Sequence, residues 1–127
     1  MSVLAFSKED VLAIHASAIE WFGGLDGLRD EGLLDSALAQ PLQTFGGANL
    51  YPSAIDRACR YAFGIISDHR FLDGNKRTGA ALLGTYLRMS GIGFRPDHAA
   101  FLKVMLGVAD GSVGYDALVD WVESVVA

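Results

Sequence analysis

An all-α fold, a compact bundle of about six helices, is what this sequence predicts, and three observations carry that expectation. Apolar residues recur at helical spacing along most of the chain. Residues that start helices (Ser7, Ser53, Asp97) and glycines that stop them (Gly23, Gly91, Gly111) mark the segments off, with short connections between them. No convincing pair of strands interrupts the pattern.

The 127 residues, 51% of them apolar, are enough to bury a core and are read as one domain spanning 1–127. No apolar run reaches the roughly 20 residues that cross a bilayer, and MSVLAFSKED lacks the basic start of a secretion signal. The single cysteine, Cys59, excludes an internal disulfide and fits a reducing cytoplasm. It is expected as a small buried helix residue rather than a nucleophile. The net charge is −5 and no Lys or Arg follows Lys103, which argues against direct nucleic-acid binding. Yet Arg57, Arg60, Arg70, Lys76 and Arg77 fall within 21 residues of one another, half of the ten basic residues. Such a cluster in an acidic protein points to a small anionic ligand, phosphate first.

Ser7 and Asp10 form a capping-box variant that opens a helix from Lys8 to Phe22. Its apolar stripe is Val11, Leu12, Ile14, Ala18, Ile19 and Phe22, with His15 at the core edge or on the surface. Trp21, like Trp121, is expected to anchor the core. Gly23, Gly24 and Gly27 end the helix; no strand precedes them, so they read as a turn rather than a phosphate cradle. A second helix is expected from Glu31 to Gln40, closed by Pro41. The stretch TFGGANLYP, with Thr44, Phe45, Gly46, Gly47, Ala48, Asn49 and Leu50, reads as a surface loop or short hairpin. Its backbone could pair with an extended peptide. Ser53 caps a third helix, Ala54 to Asp68, apolar around much of its circumference and so central. The fourth runs from Asn75 to Ser90, with small residues Gly79, Ala80 and Gly84 that admit a close neighbour. IGFRP is a short extended link, Asp97 caps a fifth helix ending near Ala109, and a sixth spans Tyr115 to Val126.

Between the third and fourth helices lies HRFLDGNKR, residues 69 to 77. His69 titrates in the right range to take a proton from a hydroxyl. Phe71 is the bulky apolar residue that can anchor the loop in the core. Asp73 is a hard oxygen ligand suited to Mg²⁺. Gly74 permits a positive φ, and the amides of Gly74, Asn75 and Lys76 then crowd the amino end of a helix, where the dipole favours an anion. Lys76 and Arg77 add full charges, the guanidinium able to grip two phosphate oxygens. A base, a metal carboxylate and a phosphate nest together specify transfer of part of a nucleotide to an alcohol.

HRFLDGNKR resembles the signature of the Fic/Doc family, H-x-F-x-(D/E)-(G/A)-N, set between two helices of an all-α fold. The glycines at 23, 24 and 27, the LLDSALAQP segment and TFGGANLYP resemble the death-on-curing (Doc) branch. Most Fic members have glycine where Lys76 stands and transfer AMP to a target hydroxyl. The Doc branch has lysine there, which is taken to invert the nucleotide so that its γ-phosphate faces the histidine. The resemblance therefore implies a toxin that uses Mg²⁺ and ATP to phosphorylate a translation factor, elongation factor Tu in the family. Under it, His69 is the base, Asp73 holds the metal, and Gly74, Asn75, Lys76 and Arg77 hold phosphates. Residues 44 to 50 form the flap where the target docks. Ala80 replaces a second arginine usual in AMP-transferring members, which weakens that alternative. A further alternative is a binding module without turnover. No Ser or Thr has a Glu four residues on, so the inhibitory motif of many Fic members is missing. Restraint is then expected from an antitoxin on a separate chain.

Overall fold

A computed structural model describes residues 3–25, 27–29, 31–67 and 74–126. Six α-helices and one small hairpin appear among them: α1 Lys8–Phe22, α2 Glu31–Ala39, β1 Thr44–Phe45, β2 Ala48–Asn49, α3 Ala54–Ser67, α4 Asn75–Met89, α5 His98–Asp110 and α6 Tyr115–Val125. The all-α expectation holds. Helix α2 ends at Ala39, two residues before Pro41, which sits in a 3-10 turn, Gln40–Leu42, where its fixed φ and missing N–H are tolerated.

The caps are those the side chains dictate. The Ser7 hydroxyl accepts from the Asp10 amide at 3.0 Å, and the Asp10 carboxylate accepts from the Ser7 amide at 2.9 Å. The Ser7 amide first, and then the Ser7 side chain, hold the Asp10 carboxyl below the usual carboxylate range. Ser53 and Asp56 repeat the arrangement at α3, and Asp97 accepts from the Ala100 amide at 3.0 Å to cap α5.

Helix α3 is the centre. Ala58, Cys59, Tyr61, Ala62, Ile65 and Ile66 are buried on it, and it packs against α2, α4, α5 and α6. Burial pushes the Cys59 thiol up to about 12, so it is a packing residue and no nucleophile at neutral pH. The amino-terminal segment is tied on by an aromatic cluster. Phe6 lies edge-on to Tyr61 and Tyr86, its amide donates to the Tyr61 hydroxyl at 3.1 Å, and the Tyr86 hydroxyl donates to the Leu4 carbonyl at 2.6 Å. A second cluster, Phe94, Phe101 and Trp121, joins α5 to α6.

Trp21 contradicts the core-anchor expectation, being 79% exposed. Six residues beyond the buried His15, it points about 120° away from the face that meets the core. His15 is itself only 2% exposed, deeper than an edge position. Phe22 and Leu12, placed on the apolar stripe, are also exposed. The loop 44–50 is a hairpin: Thr44 pairs with Asn49 and Phe45 with Ala48. Gly46 and Gly47, at φ +58° and +83°, make a two-residue turn of the kind that matches strand twist.

Gly79 explains how α3 and α4 come so close. A Cβ placed there would lie 2.4 Å from Ile66 Cδ1 and 3.3 Å from the Ala62 carbonyl oxygen. Gly84 differs: an added Cβ would meet chiefly the mobile end of Arg88, at 3.1 Å. Gly79→Ala should therefore cost about 1–2 kcal/mol through overpacking. Gly84→Ala should be neutral or gain up to about 1 kcal/mol from helix propensity. Urea denaturation of the two variants checks the contrast.

Candidate active site

The amino end of α4 opens onto a cavity of about 530 Å³. Gly74, Asn75, Lys76, Arg77 and Ala80 form one side, Phe22 from α1 another, and His98, Leu102 and Met105 from α5 the third. Four residues singled out for phosphate binding are thus brought to one place. His69, Phe71 and Asp73, expected as base, anchor and metal ligand, lie outside the described residues, as does Arg70.

Gly74 is the N-cap of α4 with φ +80° and ψ 12°, the left-handed region that the sequence predicts for it. Its side-chain-free face is pressed against α1: a Cβ would sit 3.3 Å from Ile19 Cδ1 and 3.5 Å from the His15 ring. The first turn of α4 contains no acidic residue, and its glycine N-cap has no side chain to accept from the helix amides. The contrast with α1, α3, α5 and α6 is consistent, for each of those has an acidic residue in the first turn or at the N-cap. Lys76 and Arg77 are exposed at this amino end, where the helix dipole favours an anion. Arg77 stacks over the Phe22 ring, its guanidinium carbon 4.4 Å from the centroid.

The cavity suits a nucleotide in kind: cationic and amide-rich at one end, apolar where Phe22, Leu102 and Met105 stand. For a metal the described residues offer less, since no group of three or more His, Cys, Asp or Glu among them could hold an ion. Asp73 remains the ligand that the sequence nominates.

The basic cluster divides on inspection. Arg57 donates to the Tyr86 hydroxyl at 2.8 Å and to the carbonyls of Tyr51 and Pro52 at 3.0 and 2.8 Å. Arg60 donates to Gln40 Oε1 and lies over the rings of Phe63 and Tyr115. Both arginines are structural, which corrects their inclusion in an anion-binding group. The hairpin 44–50 does not line the α4 cavity; Asn49 instead borders a smaller one, about 250 Å³, with Val3, Pro41, Leu42 and Arg57.

Comparison with known proteins identifies the family. A sequence profile described as the Fic/DOC family matches residues 5–87. The chain belongs to the Fic/DOC family. It is 39% identical over 90 residues to Toxin Doc of Mycolicibacterium smegmatis (strain ATCC 700084 / mc(2)155), covering 71% of this chain and 67% of that protein. It is also 25% identical over 114 residues to Protein kinase doc of Escherichia phage P1, covering 90% of this chain and 89% of that one. These relatives place it in the death-on-curing branch. The Fic/DOC motif accounts for the α4 side of the cavity, whereas Phe22, His98, Leu102 and Met105 were not foreseen as lining residues. The one sequence signal for Phe22 was its position seven residues after His15, hence on the same helix face.

Gly74→Ala should cost about 1–2 kcal/mol from the left-handed backbone alone. Thermal or urea unfolding of this variant, set beside wild type, is the measurement.

Proposed function

We propose that the protein is a Doc-type toxin, one domain over residues 1–127, that phosphorylates a Ser or Thr of a translation factor in the cytoplasm and so arrests growth. By family resemblance the target is elongation factor Tu. The observation that carries the reading is Lys76, exposed in the cavity where a glycine would leave bare backbone for an α-phosphate. The names of the two relatives, a toxin and a protein kinase, support the same reading.

In this reading the amides at Gly74 and Asn75, with Lys76 and Arg77, hold the phosphates of ATP so that the γ-phosphate faces His69. His69 takes the proton of the target hydroxyl, whose oxygen bonds to the γ-phosphorus. The bond from that phosphorus to the β,γ-bridging oxygen breaks, and ADP leaves with the electron pair. Mg²⁺, when bound at Asp73, supplies neutralising charge for the phosphate oxygens. Phe71 anchors the loop. The hairpin from Thr44 to Leu50 offers short, exposed strand edges to an extended stretch of the target. An antitoxin on a separate chain supplies the restraint that this sequence lacks.

The test uses ATP labelled at the α- or the γ-phosphate, Mg²⁺ and a bacterial lysate. Label on a protein from the γ position alone is expected, and label from the α position alone would mean AMP transfer and overturn the argument from Lys76. His69→Ala should abolish transfer while leaving the unfolding midpoint and nucleotide affinity nearly unchanged. Lys76→Gly should move transfer toward the α label. Nucleotide binding without label from either position would indicate a module that does not turn over.

A further inference from the structure

Arg77 is the cation of this site with the most demanding task, because bidentate grip on phosphate requires a fixed plane. A long exposed side chain at the start of a helix has several rotamers, and fixing one costs entropy. One aromatic ring lies directly against this side chain. Phe22 stands on the face of α1 shared with His15 and Ile19, and those two pack directly behind the Gly74 turn. Its ring is 64% exposed, so it contributes little to the core, yet it lies under the Arg77 guanidinium at 4.4 Å. Stacking engages the flat face of the guanidinium and leaves its in-plane N–H groups directed to acceptors at its edge.

We propose that Phe22 is a positioning residue for Arg77, using its ring to hold the guanidinium plane in the orientation that receives a polyphosphate. The proposal rests on the reading of Arg77 as a phosphate-holding residue. It assigns to α1 a part in the site that the α4 motif does not describe. Phe22 acts through Arg77, not by contact with the reacting atoms. A competing role is open to the same ring, since it also faces the cavity and could stack on a nucleotide base.

Two measurements on the full chain separate these cases. The first needs no ligand: NMR of the Arg77 side chain in wild type, Phe22→Tyr and Phe22→Leu. A ring-current shift and a rigid Nε–Hε group are expected in wild type and Phe22→Tyr and lost in Phe22→Leu. Unchanged Arg77 signals in Phe22→Leu would overturn the proposal whatever the chemistry of the site. The second uses inorganic tripolyphosphate, which has phosphates and no base, beside Mg-ATP. Phe22→Leu should weaken tripolyphosphate by about two- to fivefold, the range an exposed cation–π contact supports. That loss should vanish when Arg77 is already alanine, and Phe22→Tyr should restore binding. A loss seen with Mg-ATP but not with tripolyphosphate would make Phe22 a base-stacking wall and sink the positioning role. If wild type bound neither probe, the phosphotransfer reading would fail, and the NMR result would still decide whether Phe22 orients Arg77.

Discussion

The close approach of α3 and α4 at Gly79 is the constraint on which the site depends. With no side chain at position 79, Ile66 and the Ala62 carbonyl come within reach of the α4 backbone. The end of one helix and the start of the next are thereby fixed relative to each other, and the residues joining them must begin and end at set points. Ala58, Ala62 and Ile65 on α3, with Leu82, Leu83 and Leu87 on α4, are all fully buried. Each buried Leu or Ile side chain contributes on the order of 1.5–3 kcal/mol. The apolar pair is thus the rigid base, and the polar chemistry is placed at one end of it.

Sequence reasoning succeeded where a local rule governs. The span of α1, the caps at Ser7, Ser53 and Asp97, and the left-handed Gly74 each follow from one or two residues and their neighbours. It failed where the answer depends on what the chain meets in space. Trp21 was assigned to the core because tryptophan is large and apolar, but helix phase turns it to solvent. Arg57 and Arg60 look no different in sequence from Lys76 and Arg77. Their partners, the Tyr86 hydroxyl and Gln40, lie 29 and 20 residues away. The cavity wall formed by α5 was illegible for the same reason: nothing local says that His98 and Leu102 face the amino end of α4.

Electrostatics at that end run against stability. Cations are favoured at helix carboxyl ends and anions at amino ends, each worth about 0.3–1 kcal/mol. Here α4 carries Lys76 and Arg77 in its first turn with no described acid to offset them. At the amino ends of other helices the protein obeys the rule, with Glu9 and Asp10 at α1, Asp56 at α3 and Asp116 at α6. A net charge of −5 makes the exception sharper, because acids are plentiful and none occupies the described part of this turn. The unfavourable placement is one an incoming anion relieves, since its charge meets the dipole and both cations at once. A fold selected for stability alone would put an acid at one of these positions. The chain keeps two bases there instead, and that imbalance is what supports the proposal of an anionic ligand at the amino end of α4.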